Sequence, residues 1–503
     1  MSTTTHVNQP VLPLCSAVPS WPSVLVTHLL QGTPIDNINV KELSALLQRL
    51  PPPYHVMRYN GDTSAAFQAA WSAFRRLHTC NIQALSPLDV EGCGNRFVAK
   101  ASVDAVRKGR GRDLECVVIS HLVQVKGKMG VAGSNNLSNF FMEDYRMDAH
   151  VLHSAAPAGV SPNAFWRTHG EVIINTALEH IKKEGRKMLH IHHLSVALFK
   201  LVGVCTAFRP MVARHLYQGA VRVLDMCGGW GDRLLAMLSV PSICHAVVVD
   251  PENKLHERYK AMRQAFRPKE LDPDFQLTTI TSPFEDLPLP RDNPQHPVNA
   301  CGPYCVAFTS PPFFNRETYG SSKKQSLVRY PDMQQWIHSF LIPMARCAFA
   351  RIRKGGLLAL AMCDFRDAKA EHKGQFTADV IEAMAKREPD AMFRGVILFS
   401  LLGKDKTVRH KPQPIFVWQR QSGNFQVDDV HPVFQHNPTR HKAQHGLTQT
   451  LNRKVSSVVP VSPRTSRKSR PSQKRQRRTL LNTPRPNKKV RNMQYGDDVV
   501  VEM

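Results

Sequence analysis

The chain has 503 residues, 42% of them hydrophobic, and a formal net charge of +26. That length exceeds one ordinary domain, and the apolar fraction supports a sizeable core in part of it. A positive balance of this size points to an anionic partner, most commonly nucleic acid, while no apolar run reaches the ~20 residues needed to cross a bilayer. Residues 1–20 lack the basic-then-apolar layout of a secretory signal. The eleven cysteines are scattered and odd in number, and Cys205, Cys347 and Cys363 lie inside apolar runs. This reads as reduced thiols in an intracellular protein. Neither the Cys301/Cys305 pair nor His190-Ile-His192-His193 has a second half-site at ligand spacing, so no metal is expected.

Residues 1–53 hold Pro10, Pro13, Pro19, Pro22 and Pro51-Pro52-Pro53 and are expected to be poorly ordered. Residues 54–149 read as an α+β accessory region in which substrate recognition could reside. Phe67 to Phe74 has helical apolar spacing, Glu115 to Gln124 reads as a buried strand, and Asn135 to Asn139 as a turn-rich break. From 150 to 424 helical and strand patterns alternate. Phe165–Lys183 has a helical period, and Arg209–Gln218 forms a short helix. The strand Val221–Met226 leads through glycines into the helix Asp232–Leu238. Strand Ala246–Val249 precedes helix Asn253–Phe266. Gln276–Thr281 and Tyr304–Phe308 are further strands. A long helix, Asp332–Arg353, precedes strand Leu357–Met362. Helix Thr377–Arg387 and strands Gly395–Leu401 and Pro414–Gln419 complete the region. Such alternation predicts a doubly wound α/β sheet.

Beyond residue 424 the character changes. Fourteen Lys and Arg residues crowd between Arg453 and Arg491, with no acidic residue among them. A segment of this composition cannot bury enough apolar surface to fold alone. It reads as a disordered tail serving nuclear localisation, nucleic-acid binding, or both.

Two strand ends carry the chemistry. Asp225-Met-Cys-Gly228-Gly229-Trp230-Gly231-Asp232 places glycines directly after a strand and before a helix, where they permit positive φ and close approach of the backbone to a ligand. Asp225 suits a cationic ligand better than a pyrophosphate, and the loop lacks the spacing of the dinucleotide fingerprint. Asp250 ends the next strand, 25 residues later, where a carboxylate can bind both ribose hydroxyls of an adenosine. Thr309-Ser310-Pro311-Pro312-Phe313 ends the fourth strand. An exocyclic amine on a base is a poor nucleophile because its lone pair is delocalised into the ring. The Ser310 hydroxyl and a main-chain carbonyl, that of Pro311, can accept hydrogen bonds from its two N–H groups. Consecutive prolines stiffen the turn, and Phe313 offers a face for an extruded base.

These segments resemble motif I and the (Asp/Asn/Ser)-Pro-Pro-(Tyr/Phe) motif of class I S-adenosylmethionine-dependent amino methyltransferases. The resemblance implies a seven-stranded Rossmann-like core and S-adenosylmethionine as cofactor. The implied target is a nucleic-acid base, modified at cytosine N4 or adenine N6. By similarity, Asp225, Gly228, Trp230, Gly231 and Asp250 bind the cofactor, and Phe284 and Glu285 contact its adenine. The segments Phe208-Arg-Pro210 and Tyr319 … Gln325-Ser326 … Arg329-Tyr330-Pro331 … Trp336 … Phe340 look like those of a group from bacteriophages and large DNA viruses. In that group the Phe-Arg-Pro segment leads into the cofactor pocket. The resemblance covers about residues 160–420 and leans toward DNA. An RNA methyltransferase, acting at an mRNA 5′ end or an internal adenine, and a non-catalytic nucleic-acid-binding partner subunit stay open. So does the oligomeric state.

Overall fold

The computed structural model describes residues 29, 31–50, 52, 63–76, 80–85, 120–125, 135–151, 159–205, 207–314, 317–320, 322–362, 376–401 and 413–421. The basic tail, most of the proline-rich start and residues 115–119 of the expected strand lie outside them.

Nine strands form one sheet: β1 Cys80–Leu85, β2 Ser120–Val125, β3 Arg222–Asp225, β4 His245–Val249, β5 Gln276–Ile280, β6 Tyr304–Thr309, β7 Ile352–Ala361, β8 Ala391–Leu401 and β9 Gln413–Arg420. Their order is β1-β2-β8-β9-β7-β6-β3-β4-β5. Strands β3 to β7 run parallel to one another, and β9 is antiparallel to both β7 and β8. The seven strands from β5 to β8 form the doubly wound, seven-stranded core that the resemblance implies. Strands β2 and β1, from the region expected to be accessory, extend that same sheet at one edge.

Central strands covered on both faces need near-continuous apolar sequence, and every residue of β6 is buried. Alternate residues serve opposite layers. Val223, Val248 and Val306 pack among helices α2 Thr63–Arg76, α3 Asn136–Arg146, α7 Pro210–Leu216, α8 Asp232–Ser239 and α9 Asn253–Phe266. Leu224, Val247 and Ala307 face α10 Ile342–Phe349 and α11 Phe376–Arg387. A third apolar cluster lies among α1 Val40–Leu47, α4 Pro162–Thr168, α5 Gly170–Lys183 and α6 Ile191–Val202. There the Trp166 indole donates to the carbonyls of Leu47 and Leu50 at 2.9 and 3.0 Å.

Three expectations are corrected. Residues 135–139 are not a break but the start of α3. Asn favours turns and helix N-caps alike, and the decisive signal is the stripe Leu137, Phe140 and Phe141, all buried. The period over 165–183 belongs to two helices, parted at His169, whose φ of −128° is not helical. The long helix after Asp332 passes through a π-helical stretch, Trp336–Leu341, just before α10, whose second residue is Pro343. Proline there lacks the N–H that a regular ladder needs.

At the start of α6 the His193 ring accepts the His190 N–H through Nδ1 at 2.9 Å and lies 3.9 Å from the His192 ring. Burial, helped by His192, His190, Arg186 and His180, pushes His193 down from 6.5 to about 3. The folded state therefore keeps this ring neutral, while the unfolded chain takes up a proton below pH 6.5. Stability is predicted to fall as pH drops from 6.5 toward 3, by up to about 1.4 kcal/mol per pH unit for this one proton. His193→Gln, which retains an acceptor, flattens that dependence in urea denaturation; an unchanged slope would refute the assignment.

Candidate active site

The chain runs β3, β4, β5 outward, then returns to place β6 beside β3. Val223 pairs with Val306 and Leu224 with Ala307. The sheet order reverses between these strands, which is where open α/β sheets hold ligands at their carboxyl ends. The glycine loop leaves the end of β3, and the Ser310–Phe313 turn leaves the end of β6.

The glycine loop is fixed against β4 and α9. The Gly228 N–H donates to the Val249 carbonyl at 2.9 Å, and the Tyr259 hydroxyl donates to the Gly229 carbonyl at 2.6 Å. A Cβ at Gly228 would stand 2.4 Å from Val248 Cγ1 and 2.7 Å from the Tyr259 hydroxyl. Gly231 opens α8 with φ of +72°, and a Cβ there would stand 2.8 Å from Met262 Sδ.

Asp225, expected from the sequence to suit a cationic ligand, ends β3. It is fully buried, and Arg233 Nε donates to its Oδ2 at 2.8 Å. The Thr309 hydroxyl and the Cys227 N–H donate to Oδ1 at 2.8 and 3.2 Å. Three inward donors make this carboxylate an anchor for the loop. Sequence spacing could not distinguish the two roles, because Arg233 and Thr309 join it only through the fold.

Asp250 is placed as expected, at the end of β4. Its Oδ2 accepts the Gly229 N–H and its Oδ1 the Glu252 N–H, each at 2.9 Å. Burial pushes its carboxyl up to about 6 against these two bonds. Two oxygens offer about four acceptor positions, so acceptor capacity is left on each.

Phe284 and Glu285 part company. Phe284 is buried in the layer beneath the sheet, with the Arg351 guanidinium 5.3 Å over its ring. It presents no face to a ligand. The Glu285 side chain is 4% exposed, and its Oε1 accepts from Arg329 Nη1 at 2.8 Å. Oε2 is buried with no hydrogen bond of its own, and Tyr330 is a polar neighbour of the carboxyl. Burial raises this carboxyl to about 6. Phe208 is half-buried, its ring 5.2 Å from Phe308, and Pro210 is the buried first residue of α7. Trp230 is half-buried.

In the target turn Pro311 is buried, while Ser310, Pro312 and Phe313 stay partly exposed. The next residue, Phe314, is buried 5.7 Å from the Trp336 ring, which pins the turn from below.

The residues missed by sequence reasoning are those that join these parts. Asn135 donates from Nδ2 to Asp232 Oδ1 at 2.8 Å and to the Phe208 carbonyl. Ser138 also donates to Asp232. Burial raises the Asp232 carboxyl to about 6. An Asn before an apolar helical stripe was the available signal; its partners, 73 and 97 residues away, were not.

No protein-family model and no curated protein matches this chain. Solved structures of similar fold include an rRNA methylase of Streptococcus thermophilus, 12% identical over 43% of this chain and 100% of that one, with a TM-score of 0.26. The O-methyltransferase TomG of Streptomyces achromogenes, solved with S-adenosylmethionine, is 12% identical over 50% of this chain and 90% of that one, TM-score 0.26. An S-adenosylmethionine-dependent methyltransferase of Agrobacterium tumefaciens is 16% identical over 43% and 66%, TM-score 0.28. The fold class stands on the strand order.

Thr309→Val removes the hydroxyl that donates to Asp225 and accepts the Cys227 N–H at 3.1 Å, at nearly constant volume. Leaving buried polar groups short of a partner costs roughly 1–3 kcal/mol. A matching fall in unfolding free energy is expected; stability equal to wild type would show that the bond contributes nothing.

Proposed function

We propose that this chain is an S-adenosylmethionine-dependent methyltransferase that modifies an exocyclic amino group of a nucleic-acid base. The observation that carries the reading is the adjacency of the glycine loop and Asp250 to Ser310–Phe313 across the β3/β6 switch point. The residues fit the cofactor. Asp250 keeps acceptor capacity for ribose hydroxyls. The Glu285 carboxylate, whose Oε2 has only Tyr330 near it, suits the adenine amino group, and Gly228 to Gly231 clear the main chain for close approach. Asp225 holds the loop rather than the ligand.

When bound, the cofactor supplies a methyl group on a sulfonium centre. The protein's part is orientation and polarisation of the target amine. The Ser310 hydroxyl accepts one N–H, and the Pro311 carbonyl accepts the other. This draws the lone pair out of the ring and toward the methyl group. Pro312 stiffens the turn, and Phe313 stacks on the base. The proton released by the methylated amine leaves through these acceptors to solvent. DNA is the favoured substrate on the resemblance of residues 160–420, with cytosine N4 or adenine N6 as the atom modified. The basic tail fits a nuclear location and sequence-independent contact with phosphates.

The direct test measures labelled methyl transfer to DNA and to RNA. Ser310→Ala with Pro311→Ala is expected to lose roughly 100-fold or more in rate, with cofactor binding retained in calorimetry. Full activity in that variant removes the site assignment. No cofactor binding by wild-type protein would favour the non-catalytic partner.

Deleting residues 430–503 should flatten the salt dependence of nucleic-acid binding, by about 0.9 in log–log slope for each phosphate the tail had neutralised. An unaltered slope leaves the tail a localisation signal only.

A further inference from the structure

Beyond the target turn the chain comes back as Glu317–Thr318, which pairs antiparallel with His150–Val151. Glu317 is buried. The Tyr319 hydroxyl donates to Glu317 Oε2 at 2.5 Å, and the main chain of Phe313 lies beside the same hydroxyl. The Tyr319 ring lies 5.9 Å from the Trp230 ring, inclined at 58°. Gly320 then lies beside Glu252, where a Cβ would come 4.0 Å from Oε2. One side chain thus touches the turn that presents Phe313 and the loop that carries Trp230.

A part-buried phenol bonded to a buried carboxylate is not required for packing. Phenylalanine would fill the same volume without drawing a hydroxyl away from water. What the hydroxyl adds is direction: its bond to Glu317 holds it beside the main chain of Phe313, while the ring meets Trp230. We propose that Tyr319 is a positioning residue that sets the distance between the base-binding turn and the cofactor loop, acting through Glu317 and the main chain of Phe313. This rests on the methyl-transfer reading. In-line transfer is steep in placement, and a misplacement of 1 Å can cost about 100-fold.

The test is Tyr319→Phe in the full chain. It is expected to lower kcat roughly 10–100-fold, while the KM for nucleic acid and the Kd for S-adenosylmethionine stay within experimental scatter of wild type. Hydrogen exchange at the Phe313 and Phe314 amides should accelerate, and that readout needs no activity. Glu317→Gln, which keeps an acceptor, should retain most of kcat, whereas Glu317→Ala should match Tyr319→Phe. Wild-type kcat in Tyr319→Phe, or unaltered exchange at 313–314, overturns the proposal. Were the wild-type protein to transfer no methyl group, the methyl-transfer reading would fail instead, and the exchange measurement alone would decide the positional claim. If Tyr319→Phe proved unable to fold, the Glu317→Gln and Glu317→Ala pair would decide it by the same two readouts.

Discussion

The carboxylate of Asp225 lies out of water between the two strand ends that build the site. A buried charge is costly unless it is paired and its remaining lone pairs are met. Here Arg233 supplies the charge, and Thr309 and Cys227 supply hydrogen bonds. Each donor belongs to a different piece: the helix after the glycine loop, the end of β6, and the loop itself. Thr309 immediately precedes Ser310. The bonds that satisfy Asp225 therefore also fix where the target turn stands relative to the glycine loop.

Around that centre two further arginines hold the connections. Arg351 donates to the Pro288 carbonyl and Asn299 Oδ1 at 2.5 and 2.8 Å. This ties the long β5–β6 connection to the chain that leads into β7. Arg329 bonds both Glu285 and Asp286, so the segment after the target turn closes on the proposed adenine side. Arg guanidinium groups suit such places because they stay charged and offer several donors in a fixed plane. The proposed cofactor side is bounded at α3 as well, where Asn135 and Ser138 meet Asp232. Residues expected to be accessory thus help form the wall of the site.

Much of the site was legible in the sequence, for a physical reason. Glycines after an apolar strand, an acid ending the next strand, and Ser-Pro-Pro-Phe ending a third are local patterns. Helix Asn253–Phe266 was legible to the residue, because its apolar stripe and its Glu252 cap are local too. The failures share the opposite character. The donors around Asp225 were not legible because they lie 8 and 84 residues away. The burial of the Phe284 ring was not legible because a motif does not say which way a ring turns. Helix α3 was read as a break because its asparagines are at home in turns and at caps.

By itself, then, the sequence determined the alternation of strands and helices, the two loops at strand ends and the positive charge of the tail. These follow from periodicity of 2 and 3.6 residues and from backbone rules for glycine and proline. Only the tertiary structure decided which acids face inward and which keep acceptor capacity. Asp225 accepts from Arg233, Thr309 and Cys227, while each Asp250 oxygen accepts one bond and Glu285 Oε2 accepts none. A carboxylate's role depends on which donors surround it, and in a sheet whose order reverses at β3 and β6 those donors come from distant parts of the chain.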